Sequence, residues 1–176
     1  GEAAETAREL GVELVRGAEF TAMLHGAEIH ILGYFPSEPN EVVRAHLAHM
    51  QAERRKRLQT ALERLRTRGI ELDSRALPAA PYCESLTTTH LAQALAAAGY
   101  ASSSRAAWRR YLSRGQGIVP TFEVTAKDVI GVIHSSGGLA VWAHPDRQHL
   151  QRHFGELLAV GLDGIEAYNG RRGGDV

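Results

Sequence analysis

A carboxylate and two imidazoles stand at the ends of short apolar runs in this chain. Glu19 closes Arg16-Gly17-Ala18-Glu19. His30 opens His30-Ile31-Leu32-Gly33-Tyr34, after a glycine turn at His25-Gly26. His144 follows Leu139-Ala140-Val141-Trp142-Ala143 and is stopped by Pro145. Oxygen and nitrogen donors converging from strand ends are what a hard-metal hydrolase requires, because strands hold donors more rigidly than loops do. His144 is the sharpest of these signals. A polar ring has little reason to end a buried apolar run, and the C-terminal ends of barrel strands are where such folds place their active sites.

Other residues offer chemistry with a plainer alternative beside it. Arg54 interrupts the apolar stripe of a long helix, with Arg57 beside it. Either these arginines snorkel or pair with Glu53 or Glu63, or an inward-facing guanidinium meets a bound phosphate, whose oxygens its fork matches. His90 follows Thr87-Thr88-Thr89 and falls in the first turn of a helix, where the macrodipole favours the neutral ring. A neutral imidazole can coordinate metal, and the amides around it can hold an anion; a merely exposed first-turn histidine is the alternative. Arg114 lies in the glycine loop Ser113-Arg114-Gly115-Gln116-Gly117, which would let backbone approach a ligand or be an ordinary turn. His46, His49, His134, His149 and His153 read as surface residues without a special role.

These residues are positioned by alternating elements. Ala3, Ala4, Ala7 and Leu10 recur at helical spacing before Gly11, and Val12–Val15 reads as a strand. In Ile29–Tyr34 the alternation puts His30, Leu32 and Tyr34 on one face and Ile29 and Ile31 on the other. Asn40 precedes a helix from Glu41 to Arg68, ended by Gly69, with the stripe Val43, Leu47, Met50, Leu58, Ala61, Leu62 and Leu65. After a loop at Leu77–Leu86 come helices over Leu91–Ala98 and Ser104–Leu112, the latter burying Ala107, Trp108, Tyr111 and Leu112. Thr125-Ala126-Lys127-Asp128 is close to a capping box. Leu139–Ala143 reads as a parallel strand buried on both faces, and Leu162–Tyr168 as a further strand. No clear strand interrupts 41–112. The class is α/β, with residues 1–40 and 121–176 as the framework and 41–120 as a helical insertion.

Composition narrows the function. The 176 residues carry 20 Lys+Arg and 20 Asp+Glu, so no net field draws nucleic acid or anionic membrane. One cysteine, Cys83, excludes a disulfide framework and a thiolate cage. No apolar run approaches the roughly 18–20 residues of a membrane helix, and nothing resembles a signal peptide. A cytoplasmic protein with no membrane partner and no stable protein partner is expected. Both ends read as cut: the chain opens on Gly1, helical at once, and closes on Arg171-Arg172-Gly173-Gly174-Asp175-Val176.

Taken together, several stretches resemble one family in the right order along nearly the whole chain. They are Gly17-Ala18-Glu19, His30-Ile31-Leu32-Gly33-Tyr34, the Arg54/Arg57 helix, His90-Leu91-Ala92-Gln93-Ala94-Leu95, Tyr111-Leu112-Ser113-Arg114-Gly115, Ala143-His144-Pro145 and Gly161-Leu162-Asp163-Gly164-Ile165-Glu166. The chain is similar to the PHP-domain metal-dependent phosphoesterases, in the branch with a helical insertion that acts on nucleotides and short RNA. The resemblance implies part of a distorted (β/α)7 barrel whose strand ends hold two or three divalent ions, Mn, Zn or Fe. It implies that Glu19, His30 and His144 are metal ligands, and that His90, Arg114 and Arg54 stand on the phosphate side of catalysis. A nucleotide or short RNA phosphoester is the implied substrate, with phosphatase or exoribonuclease chemistry. The sequence departs from the family pattern in having Thr88-Thr89 for the usual Arg-Pro and Gln116 for a frequent lysine. The family's opening His-x-His strand, its Asp-His pair and its closing Asp-x-His are absent, so the parent protein can be an enzyme where this fragment alone is not. Two rivals stand beside this reading: a catalytically incomplete binding module, and an RNA-binding protein using the basic helix through Arg55, Lys56 and Arg64.

Overall fold

A hairpin organises the fold. Strand β1 (Arg16–Leu24) and strand β2 (Ala27–Phe35) pair antiparallel from Arg16↔Phe35 to Leu24↔Ala27. Their two-residue link has φ of 46° at His25 and 73° at Gly26, the left-handed pair that matches the right-handed twist of a hairpin. The structure, a computed structural model, describes residues 2–72, 77 and 87–168. Cys83, most of the Leu77–Leu86 loop and the closing Arg171–Val176 lie outside the described residues.

Strand β3 (Leu139–Trp142) adds antiparallel to β2, and strand β4 (Gly164–Ile165) adds parallel to β3, giving the order β1-β2-β3-β4. Three sequence expectations are corrected here. Val12–Val15 is not a strand: β2 ends at Phe35 before Pro36, so these residues pair with no strand among the described residues, and Val12 and Val15 are exposed. The run 139–143 is not a uniformly buried parallel strand. It lies between one antiparallel and one parallel neighbour, and Leu139 is exposed while Ala140 and Trp142 are buried. Of the strand expected over 162–168, only Gly164–Ile165 pairs.

Helix α1 (Glu2–Leu10) ends at Gly11, where φ is 65°. Asn40 starts helix α2 (Glu41–Arg66): its Oδ1 accepts the Val43 N–H at 3.1 Å and its Nδ2 donates to the Ser135 carbonyl at 2.7 Å. Helix α5 (Ala126–His134) begins with the anticipated capping box, the Thr125 N–H donating to Asp128 Oδ2 at 3.1 Å and the Asp128 N–H to Thr125 Oγ1 at 3.2 Å. Helix α6 (Arg147–Ala159) follows β3 and is capped by Asp146.

The chain forms two compact units, residues 1–47 with 122–176, and residues 48–121, the division falling within α2. Each has its own apolar core. In the first, Phe20, Ile31, Val129, Ile133 and Trp142 pack between α5 and the sheet. Gly33 permits this close approach, since a Cβ there would lie 2.8 Å from Phe20 Cε2 and 3.1 Å from Ile133 Cγ1. The second core joins Ala61 and Leu65 of α2 to Leu91 and Leu95 of helix α3 (Thr88–Ala97), with Leu112 and Ile118. The single helix expected over 104–112 is instead a short α4 (Ser104–Ala107) that opens into a π turn over Trp108–Leu112, the Ser113 N–H reaching the Trp108 carbonyl at 2.8 Å. Trp108, expected to be buried, is exposed.

Candidate metal centre

The hairpin register puts Glu19 opposite Leu32 and Thr21 opposite His30, so Glu19 and His30 are diagonal neighbours on one face. Phe20, Ala22, Ile29 and Ile31 bury the other face. Glu19 and His30 therefore stand within their strands, not at the strand ends expected from sequence. His144 reaches the same face differently. Strict alternation would send it to the side of Trp142, which is buried in the core. Its φ of 35° breaks that alternation immediately after the Ala143 N–H bonds the His30 carbonyl at 2.9 Å. A left-handed histidine is sterically costly and persists only where its surroundings hold it. Here the Glu166 carboxylate holds it, Oε2 accepting the His144 backbone N–H at 2.8 Å.

Three donor atoms converge as a result. Glu19 Oε1 lies 2.8 Å from His30 Nδ1 and 3.7 Å from His144 Nε2, and the two ring nitrogens are 3.2 Å apart. The rings meet edge to face, with centroids 5.2 Å apart. Zinc–nitrogen bonds of about 2.0–2.1 Å in a tetrahedron put neighbouring donors about 3.3 Å apart, which is the scale of this cluster. One carboxylate and two imidazoles suit a divalent transition metal. The three side chains are 51%, 35% and 40% exposed, so an ion there would be open to solvent. Sequence reasoning missed Glu28, two residues before His30 on the same face, whose Oε1 is 3.9 Å from His30 Nε2. The alternation that grouped His30 with Leu32 and Tyr34 would have found it if extended by one step.

The other candidates stand in the second unit. His90 Nδ1 accepts the Thr87 N–H at 3.0 Å, so the ring caps its own helix, a role the sequence reading did not consider. That bond fixes the Nδ1 lone pair inward and leaves Nε2 as the outward nitrogen. Arg114 is exposed and opens a 3-10 turn (Arg114–Gln116). Arg54 is half-buried on α2. Its neighbours on that helix serve the fold: Arg57 Nε donates to the Pro120 carbonyl at 2.7 Å, Arg64 Nη1 to Gly117 at 2.9 Å, and Arg68 Nη2 to Gln116 at 2.7 Å. These arginines tie residues 116–120 to the helix, which commits Arg64 to a structural bond and thins the basic face. Among the histidines read as unremarkable, His134 bonds Asp163 at 2.7 Å and His149 bonds its own helix cap, Asp146.

No family model matches the chain. It is 34% identical over 142 residues to the 5'-3' exoribonuclease Rnm of Escherichia coli, a match covering 80% of this chain and 48% of that protein. It is 32% identical over 185 residues to the 3',5'-nucleoside bisphosphate phosphatase of Chromobacterium violaceum, covering 96% and 62% respectively. Its fold superimposes, with TM-score 0.78 and 28% identity, on a structure described as a metal-dependent phosphoesterase of Bifidobacterium adolescentis, over 95% of this chain and 62% of that one. The chain thus spans between about half and just under two thirds of the length of these proteins. Its relatives cleave phosphoester bonds.

Proposed function

We propose that this chain carries part of the active site of a metal-dependent phosphoesterase of the PHP-domain type, acting on nucleotides or short oligoribonucleotides. The observation that carries this is the convergence of Glu19 Oε1, His30 Nδ1 and His144 Nε2 from three places in the sequence. The kinship with an exoribonuclease and a nucleoside bisphosphate phosphatase supports the substrate class. On this reading the first unit belongs to a distorted (β/α)7 barrel, and the second is a helical insertion in it.

Glu19, His30 and His144 would hold a divalent ion, with manganese the first to try. When bound, such an ion lowers the pKa of a water and neutralises charge on phosphoryl oxygens. The chain's own contribution is placement. The β1/β2 register sets Glu19 against His30, and Glu166 fixes the backbone that aims His144. Glu19 supplies a negative charge that would offset part of the charge of an ion held with the two imidazoles. For the substrate's phosphate we assign Arg54, His90 and Arg114, on the match of guanidinium and imidazole N–H donors to phosphoryl oxygens.

The test is turnover of a nucleoside bisphosphate and a short RNA by the longest available form of the protein with Mn²⁺. Glu19→Ala is expected to lower kcat/KM by about 100-fold or more, the loss of a few kcal/mol of metal-assisted stabilisation. Unchanged turnover with metal still bound would remove the proposal.

A further inference from the structure

A second donor set lies where the hairpin turn meets helix α6. His25 Nε2 is 2.7 Å from Glu156 Oε2, and His153 Nδ1 is 3.7 Å from the same oxygen. His153 and Glu156 are three residues apart, so α6 presents them on one face. The left-handed turn brings His25 to them from far away in sequence. The His25 and His153 rings stack, with centroids 4.9 Å apart and planes inclined by 26°. All three donor atoms lie within 4.8 Å of one another.

An ordinary ion pair accounts for only part of this. The His25–Glu156 contact is a good one, but His153 Nδ1 is too far from the carboxylate for a hydrogen bond. The two stacked rings each bring a nitrogen to the side of the Glu156 carboxylate. A cation among the three would take both ring nitrogens and the carboxylate oxygen together. His25 and Glu156 are 58% and 47% exposed, so their side chains can close to bonding distance. Two imidazoles and one carboxylate form an open tetrahedral set, with the fourth position left to water. Nitrogen-rich donors select Zn²⁺, Ni²⁺, Co²⁺ or Cu²⁺ over Mg²⁺ and Ca²⁺.

We propose that His25, His153 and Glu156 form a separate binding site for a divalent transition metal, one that pins the β1–β2 turn to α6. It shares no residue with the Glu19, His30 and His144 set and does not depend on the activity proposed above.

The experiment uses the chain bearing Glu19→Ala, His30→Ala and His144→Ala, titrated with Zn²⁺ by calorimetry and with Co²⁺ by visible absorption. About one equivalent of each is expected to bind, with Co²⁺ giving the intense bands of a four-coordinate site, and Mg²⁺ is expected not to compete. Adding His153→Ala should abolish that equivalent. No binding in the triple variant, or binding that survives His153→Ala, overturns the proposal. If the triple variant fails to fold, the same question is put to the unaltered chain. There, His25→Ala and Glu156→Gln should each remove about one equivalent of Zn²⁺ and the rise in Tm that Zn²⁺ produces, and unchanged stoichiometry in both overturns it.

Discussion

At the scale of single residues, the geometry around His144 is held from outside the donor set. Glu166 accepts the His144 backbone N–H at 2.8 Å, and its own N–H donates to the Trp142 carbonyl at 2.9 Å. The carboxylate thereby keeps an unfavourable backbone angle in place through the main chain of His144. Glu166→Gln is expected to weaken metal binding at Glu19, His30 and His144 by about 10- to 100-fold, the usual cost of losing an outer-shell partner. Competition with a chromophoric chelator measures this, and unchanged affinity would show that the backbone holds its angle without Glu166. The meeting of His144 with Glu19 and His30 was partly legible in the sequence, because His144 ends an apolar run that would not otherwise tolerate it. Glu166 was visible only as part of a family-like stretch, since a bond to backbone leaves no mark on side-chain pattern. The meeting of His25 with His153 and Glu156 was not legible at all. It depends on a hairpin tip reaching a helix far along the chain, and periodicity carries no information about such a contact.

At the scale of elements, the sheet face opposite the donors sets the tolerance of the site. Gly33→Ala would drive a methyl group into Phe20, Ile133 and Phe35 and displace β2, the strand that carries His30. A loss of about 1–3 kcal/mol is expected, as for other overpacked cores, measured by urea unfolding. The alternation of β2 was legible because one of its faces is buried and the other carries His30 and Tyr34. The helix starts at Asn40 and Thr125 were legible for a local reason: both caps are satisfied within a few residues. By contrast, β3 hid its own alternation because its exposed position, Leu139, is also apolar. The π turn at Trp108–Leu112 was equally hidden, since a shift of one residue in hydrogen-bond register changes no residue type.

At the scale of the molecule, the carboxylates determine the response to acid. Hydrogen bonds from Thr125 hold Asp128 below its usual range, and those from His149 do the same for Asp146. Burial pushes Asp163 up, but the His134 and Ala140 hydrogen bonds outweigh it and leave it lowered. Glu156 is lowered by His25. A group whose pKa is depressed by folding contributes stability above its unfolded value, and that contribution is lost as pH falls through the folded one. All four belong to the first unit. Its stability is therefore expected to fall below about pH 4–5, where free carboxyls begin to protonate. Fluorescence of the buried Trp142 reports it, and Thr125→Val should make the acid limb shallower by removing the largest cause acting on Asp128. An equally steep limb in that variant would count against the assignment. Among the described residues no helix is long and apolar enough to cross a membrane.

The backbone angle at His144 also limits what evolution or design can put there. Only a short alphabet of side chains visits left-handed φ without a large penalty, chiefly glycine, asparagine, aspartate and histidine. Of these, aspartate is the one anionic donor. At the proposed site, retuning the ion preference through this position is thus directed to exchanging nitrogen for oxygen, while branched side chains are disfavoured by the torsion before any coordination chemistry is tried.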